Sequence, residues 1–213
     1  MHESSLLHMT RFRDQFLNDK QNQTLQIADL GSYDVNGSYR PLFVNSTWHY
    51  QGLDVSAGPN VDVVLTNPYS WQALSSNSID VIISGQAFEH VEFFWLTALE
   101  LSRVLKPGGL CCLIAPSGGP EHRYPVDCWR FYCDGMRALM HYAGLEVLDV
   151  YTNHQAEGWG DDSGLWQDSV VVARQTAKPL NRRFREWLRH YCGRWLLPLD
   201  KVPQKNSGAT DGF

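Results

Sequence analysis

Short apolar segments alternate with amphipathic segments along most of the chain. Runs rich in Val, Ile and Leu that end at turn residues predict buried strands. We place these strands at residues 25–30, 48–53, 61–65, 79–83, 110–115, 146–151 and 169–174. Apolar residues at helical spacing predict helices at residues 5–18, 92–105 and 134–143. Gly144 is expected to end the third helix and Lys106-Pro107-Gly108-Gly109 the second, because proline cannot continue a helix and glycine permits a left-handed cap.

The order of these elements predicts the fold class. Strands that alternate with helices are typical of a parallel sheet covered on both faces. No helical pattern separates the last two strands, which indicates an antiparallel pair. We therefore predict an α/β domain built on a doubly wound, seven-stranded mixed sheet, mostly parallel with an antiparallel last strand.

Composition narrows the class of protein. The 213 residues fit one domain, and 43% hydrophobic with 19% charged residues indicates a globular chain. A formal net charge of −5 disfavours a nucleic-acid partner. No run approaches the roughly 20 apolar residues that span a bilayer, and the N-terminus lacks the pattern of a signal peptide. The odd number of cysteines, with Cys111 and Cys112 adjacent, does not suggest a disulfide framework, so we expect a cytoplasmic protein.

A glycine-containing loop follows the first strand. In open α/β sheets, ligands bind beyond the carboxyl ends of the strands. Gly31 would let the backbone turn sharply and approach a ligand, and Gly37 would relieve a second tight position. Asp54 closes the second strand, where a carboxylate can accept hydrogen bonds from the two hydroxyls of a ribose. The alternatives are plain turn glycines and a helix-capping role for Asp54.

Over about residues 20–175 the chain resembles the class I methyltransferases, and specifically the small bacterial type 11-like family. The resemblance rests on five motifs, namely Asp29-x-Gly31, Asp54 after a strand, Ile79-Asp80-Val81-Ile82, Phe88-Glu89-His90-Val91 and Leu101-x-Arg103-Val104-Leu105-Lys106-Pro107-Gly108-Gly109. It implies a Rossmann-like fold and S-adenosylmethionine as cofactor. The family usually reads Asp-x-Gly-x-Gly-x-Gly, whereas here Tyr33 and Val35 replace the second and third glycines.

The resemblance also implies which residues contact the cofactor. They are Asp29, Gly31, Ser32, Tyr33, Gly37, Asp54, Val55 and Gln86. A nicotinamide cofactor is disfavoured, because Gly-x-Gly-x-x-Gly is absent. Asn67-Pro68-Tyr69 is similar to part of the Asn-Pro-Pro-Tyr motif of enzymes that methylate nitrogen, and it is either a loop near the adenine ring or a plain turn.

The methyl acceptor is expected at the ends of the fourth and fifth strands, at residues 84–90 and 116–132. The second segment mixes histidine, arginine, acidic and aromatic residues, which suits a small polar or glycan-related acceptor. The alternative is a structural clamp anchored by Trp129 and Phe131. The predicted substrate contacts are Glu89, Arg123, Tyr124, Trp129 and Arg130.

We predict methyl transfer to a hydroxyl oxygen, which requires a base. The candidates are His122, His90 and Asp127, since histidine titrates near neutral pH; a purely structural His90 is the alternative. No metal site is predicted, because the spacing of His122, Cys128 and Cys133 matches no zinc pattern. Nitrogen or carbon methylation, and a non-catalytic interaction module, are the other hypotheses for the chain.

Three segments are predicted: a methyltransferase domain at 1–178, an amphipathic helix at 179–200 and a flexible tail at 201–213. Within the helix, residues 181–197 combine an aromatic face with several arginines. This pattern is compatible with packing on the domain, with a homodimer or partner surface, or with weak membrane contact.

Overall fold

The computed structural model describes residues 2–177 and, beyond them, Leu188, Tyr191, Cys192 and Trp195. Its strands are β1 (Leu25–Leu30), β2 (Trp48–Asp54), β3 (Val63–Val64), β4 (Ile79–Gly85), β5 (Leu105–Pro116), β6 (Glu146–Thr152) and β7 (Asp168–Arg174). Its α-helices are α1 (Glu3–Phe16), α2 (Phe94–Val104), α3 (Cys133–Ala143) and α4 (Ser163–Trp166).

The seven strands form one sheet in the order β3-β2-β1-β4-β5-β7-β6. Neighbouring strands from β3 to β5 pair in parallel, and β7 runs antiparallel to both β5 and β6. The predicted mixed sheet and its antiparallel last strand are therefore confirmed. The chain reverses direction across the sheet between β1 and β4, which is where open α/β sheets form their binding crevice.

Two apolar cores cover the two faces of the sheet. One contains α2, α3 and the fully buried Trp71, and the other contains α1 together with Tyr39 and Phe43. Because successive side chains of a strand point to opposite faces, Cys111 lies in the first core and Cys112 in the second. The sheet is thus packed on both sides, as a doubly wound fold requires.

The segment Lys106–Gly109, which was predicted to end the second helix, lies inside strand β5. Strand β5 begins at Leu105, which pairs with Ile79, and the pairing resumes only at Leu110 with Val81. The four residues between them are a bulge inside the strand, with Gly108 in the left-handed region at φ +85°. Helix α2 therefore ends at Val104, because the backbone at Leu105 already belongs to the sheet.

Among the described residues, three connections between parallel strands contain no α-helix, and the sequence predicted none there. A 3-10 turn at Arg40–Phe43 lies between β1 and β2, and no α-helix lies between β2 and β3 or between β3 and β4. The face beside the first connection is covered by α1, whose Met9 and Phe12 pack with Phe43. The sequence missed α4, a single helical turn between β6 and β7 that is too short to show a period.

The predicted helix at 179–200 and tail at 201–213 lie outside the described residues, apart from Leu188, Tyr191, Cys192 and Trp195, which are helical. The domain boundary at 178 stays a prediction. Within the part of the chain that the structure describes, no helix has the length and apolar character needed to cross a bilayer.

Candidate active site

A cavity of about 240 Å³ lies at the carboxyl ends of β1, β2 and β4. All of the predicted cofactor residues line it: Asp29, Gly31, Ser32, Tyr33, Gly37, Asp54, Val55 and Gln86. The crevice of an open α/β sheet is where such ligands bind, so the location agrees with the topology of the sheet.

The turn after β1 depends on Gly31. Its φ of +78° lies in the left-handed region, and a Cβ atom there would stand 2.5 Å from Cβ of Ala87. The backbone N–H of Gly31 donates to the carbonyl of Leu53 at 2.9 Å, which ties the turn to β2. Glycine is required at this position both for its backbone angle and for the close approach of Ala87, in the segment that follows β4.

Tyr33 stands where the resemblance expects a second glycine, and its ring packs directly over the backbone of Gly58. A side chain at residue 58 would overlap the ring. The bulky Tyr33, in place of a loop glycine, is thus accommodated because residue 58 is itself a glycine. Gly37, the displaced third glycine, donates its N–H to Asp34 Oδ1 at 2.7 Å, which closes the loop.

The carboxylate of Asp54 is positioned by two backbone groups. Oδ2 accepts the N–H of Tyr33 at 3.2 Å and Oδ1 accepts the N–H of Ser56 at 2.8 Å. Each carboxylate oxygen has a further lone pair, so the group fits the two hydroxyls of a ribose. The helix-capping alternative is wrong, because the residues after Asp54 form a turn followed by β3.

Asp29 is nearly completely buried beneath the loop, and the hydroxyl of Tyr50 donates to its Oδ2. Burial raises the pKa of Asp29 to about 7, against an ordinary value of 3.8. Near neutral pH this carboxyl is therefore poised between its two forms, and a cationic group entering the cavity would favour the ionised one.

Several residues of the cavity wall were left open or missed by the sequence analysis. Pro68 and Tyr69 line the cavity, in agreement with a binding loop rather than a remote turn. Leu65, Thr97 and Tyr39 also line it. Their sequence neighbourhoods show only ordinary strand, helix and loop residues, so no local signal could have found them.

At the other end of the cavity, the 3-10 turn Phe88–His90 faces the loop that follows β5. The wall here is formed by His90, Val91, Glu92, Tyr124, Pro125 and Val126. Gln86 lies between the two ends of the cavity, and its own backbone φ is +56°. Its Nε2 donates to the buried Oδ1 of Asp168 at 2.7 Å.

Most of the predicted substrate contacts are engaged elsewhere. Arg130 donates to both oxygens of Asp127, at 2.6 and 2.8 Å, and Arg123 pairs with Glu121 at the surface. Trp129 donates Nε1–H to the carbonyls of Val91 and Glu92, at 3.1 and 3.2 Å. Of the predicted set only Tyr124 lines the cavity, so the rest of this loop has the geometry of the structural clamp.

Asp127 has the geometry of a clamp residue and not of a base. Besides Arg130, it accepts the backbone N–H of His122 at 2.7 Å, and its side chain is 2% exposed. The hydrogen bond from Arg130 lowers the pKa of Asp127 to about 2. A carboxylate so strongly stabilised in its ionised form is a poor proton acceptor.

The rings of His90 and His122 lie edge to face, with centroids 4.8 Å apart. Among the described histidines only His90 lines the cavity. Burial lowers the pKa of both rings, so both are neutral at pH 7. Nδ1 of His90 lies 2.5 Å from the carbonyl of Val126, which can only accept, so Nδ1 carries the proton and Nε2 carries the lone pair. Beneath them, burial raises the pKa of Glu89 to about 8, and this side chain cannot touch a substrate directly.

The chain is similar to known methyltransferases. A family model for the methyltransferase domain matches residues 37–113. An uncharacterized methyltransferase of Mycolicibacterium paratuberculosis is 28% identical over 134 residues, which are 61% of this chain and 48% of that protein. One from Mycolicibacterium gilvum is 24% identical over 200 residues, covering 85% of this chain and 71% of the relative. The chain thus spans about half the length of the first relative.

Solved structures show the same fold. A Burkholderia thailandensis 1,6-didemethyltoxoflavin N1-methyltransferase, with 1,6-didemethyltoxoflavin and S-adenosylhomocysteine bound, matches with a TM-score of 0.58 and 13% identity, covering 79% of this chain and 78% of that one. The fold, the cavity and these matches make the chain similar to the class I S-adenosylmethionine-dependent methyltransferases.

Proposed function

We propose that the chain transfers a methyl group from S-adenosylmethionine to a hydroxyl oxygen of a small polar, glycan-related acceptor. The observation that carries the proposal is the continuity of the cavity. One end is lined by the loop from Asp29 to Gly37 and by Asp54, and the other by His90 and Tyr124. A donor held at the first end would present its methyl group to a molecule held at the second.

The cofactor supplies a methyl group already activated on a sulfonium, so the chain mainly has to align two molecules. Alignment of this kind can supply roughly 7–11 kcal/mol of the barrier. Gly31, Asp54 and Gln86 are held by backbone and side-chain hydrogen bonds before any ligand arrives. This preorganisation supports a catalytic role over that of a non-catalytic interaction module.

The cavity wall around His90 and Tyr124, at the acceptor end, favours an uncharged polar molecule as acceptor. Arg123 and Arg130 are paired with acidic residues of their own loop, so no arginine side chain among the described residues lines the cavity to hold a carboxylate or phosphate. Tyr124 and Val126 offer apolar surface, as the face of a sugar ring requires, and His90 offers a nitrogen lone pair. We assign the acceptor hydroxyl to the neighbourhood of His90.

The donor half of the proposal is tested by calorimetry with S-adenosylhomocysteine. Asp54→Ala should weaken binding by about 1–3 kcal/mol, the range for a lost hydrogen bond to a charged group. Asp134→Ala, which removes an exposed carboxylate from α3, is the matched control and should bind like the wild type. Equal affinities in all three folded proteins would contradict the donor site.

The acceptor half is tested by incubating the full chain with S-adenosylmethionine and pools of glycans, nucleotide sugars and small hydroxylated metabolites. Mass spectrometry should find a product heavier by one methylene group, and fragmentation should place it on oxygen. Methylation found only on nitrogen or carbon would keep the enzyme class and overturn the acceptor assignment.

A further inference from the structure

A cluster of three side chains lies next to the acceptor end of the cavity, and the proposed methyl transfer gives a role to only one of them, His90. Glu89 and His90 belong to the 3-10 turn after β4, and His122 belongs to the loop after β5. One ligand-type atom from each residue lies within 4.8 Å of the other two, and His90 Nε2 is 3.7 Å from Glu89 Oε1. The sequence prediction of no metal site considered only spacing along the chain, which cannot show this meeting of two separate loops.

The carboxyl group of Glu89 has no hydrogen-bond partner among the described residues. Its side chain is completely buried, and both Oε1 and Oε2 are unpaired. The buried Nδ1 of His122 makes no hydrogen bond of good geometry, and its nearest acidic neighbour is Asp127 Oδ2 at 3.4 Å. Buried polar atoms almost always have a partner, and leaving one without costs roughly 1–3 kcal/mol. Two unpaired oxygens on a completely buried carboxyl group therefore indicate a missing occupant.

We propose that Glu89, His90 and His122 bind a divalent transition-metal ion. Two imidazoles and one carboxylate are a ligand set that zinc and iron sites use, with further coordination positions left open for water or substrate. Ligand atoms around a tetrahedral ion lie roughly 3.3 Å apart when the bonds are about 2.0–2.1 Å. The observed 3.7 Å between His90 and Glu89 is close to that value.

The surroundings of the cluster support a cation. Nδ1–H of His90 donates to the carbonyl of Val126, which fixes the ring with Nε2 free, as the outer hydrogen bond of a metal-bound histidine does. Asp127 Oδ2 lies 3.4 Å from His122 Nδ1 and adds negative charge, although Arg130 offsets part of it. The side chain of His122 is 37% exposed, which gives an ion a path into the cluster.

The role of the ion rests on the proposed function. Because His90 borders the cavity, an open coordination position on that side would take the acceptor hydroxyl. A metal-bound hydroxyl loses its proton to water more readily than a free one. The oxygen then forms its bond to the methyl carbon as the carbon–sulfur bond breaks, which leaves the methyl ether and S-adenosylhomocysteine. The metal would replace a histidine base in this step.

The test uses the full chain without an affinity tag, loaded with Zn²⁺, dialysed, and analysed for metal content and by calorimetry. We expect about one zinc ion per chain. Glu89→Gln, which keeps the size of the side chain, and His122→Ala should each weaken zinc binding by more than about tenfold. His154→Ala, which removes an exposed histidine remote in sequence from the cluster, should bind like the wild type.

The same samples are titrated with S-adenosylhomocysteine, which reports on the fold and on the donor end of the cavity. A wild-type chain that binds S-adenosylhomocysteine but retains no zinc overturns the metal site and leaves the proposed function intact. Cluster variants that fold and bind zinc like His154→Ala also overturn it. A chain that binds zinc at the cluster but no S-adenosylhomocysteine supports the metal site and overturns the proposed function.

Discussion

The two ends of the cavity are built in different ways. At the cofactor end, the backbone determines the shape, since Gly31 is bonded to β2 and Asp54 is fixed by the N–H groups of Tyr33 and Ser56. At the acceptor end, side chains determine it, because the loop after β5 is held by contacts such as Asp127 with Arg130. Every residue predicted for the first end lines the cavity, whereas of those predicted for the second end only His90 and Tyr124 do.

The difference shows what a local sequence pattern can encode. A turn that needs a left-handed glycine leaves that glycine visible in the sequence whatever surrounds it. A loop rich in charged residues shows only that polar groups are present, and their partners depend on how the loop folds back on itself. Arg130 satisfies Asp127 three residues away, so two candidate functional groups neutralise each other.

The largest effect on stability should come from a substitution at the cofactor end of the cavity, whose shape the backbone determines. Gly31→Ala places a methyl group against Ala87 and forces an L-residue to φ +78°. The overlap costs about 1–3 kcal/mol and the backbone angle about 1–2 kcal/mol. Urea denaturation should therefore show a loss of roughly 2–5 kcal/mol, accompanied by weaker binding of S-adenosylhomocysteine.

Gly108→Ala separates the two costs. Gly108 has a φ of +85°, but nothing lies within 4 Å of where its Cβ would stand. Only the backbone cost of about 1–2 kcal/mol should remain, and cofactor binding should not change. If both variants lose equal stability, the close approach of Ala87 to Gly31 has no energetic consequence.

The fold was predictable from the sequence further than the site. Strand patterns at 25–30 and 169–174 correspond closely to β1 and β7, because buried strands need continuous apolar runs. The bulge at Lys106–Gly109 was not predictable, because it depends on pairing with β4. The meeting of Glu89 with His122 was hidden for the same reason: residues from two loops become neighbours only through the parallel pairing of β4 and β5.

An intermediate effect should appear in the pH dependence of stability. Because burial raises the pKa of Asp29 from 3.8 to about 7, the folded chain holds this proton more tightly than the unfolded chain. The contribution of Asp29 to stability is therefore fully present below about pH 4 and is lost as the pH rises through 7. Between pH 5 and 8 the loss should be about 2–3 kcal/mol.

Asp29→Asn isolates this contribution, since the amide oxygen can still accept from Tyr50 while the side chain cannot ionise. Denaturation of both proteins at pH 5 and pH 8 should show that the variant gains stability relative to the wild type as the pH rises. A difference between the two proteins that is independent of pH would mean that Asp29 ionises in the folded state as readily as in the unfolded chain.

The smallest effect should distinguish two adjacent residues at the side-chain-built end. Tyr124 lines the cavity, whereas Arg123 points to the surface and pairs with Glu121, both being largely exposed. With an acceptor found in the screen, Tyr124→Ala should raise its KM by about 5–30-fold, which corresponds to about 1–2 kcal/mol of lost contact. Arg123→Ala should leave KM unchanged, because an exposed ion pair is worth little and touches no ligand.

The reverse ranking would mean that the loop rearranges when the acceptor binds and that its charged residues do reach the substrate. That result would overturn the residues assigned to the acceptor end. It would leave the assignment of the cofactor end unchanged, because neither variant alters a residue there.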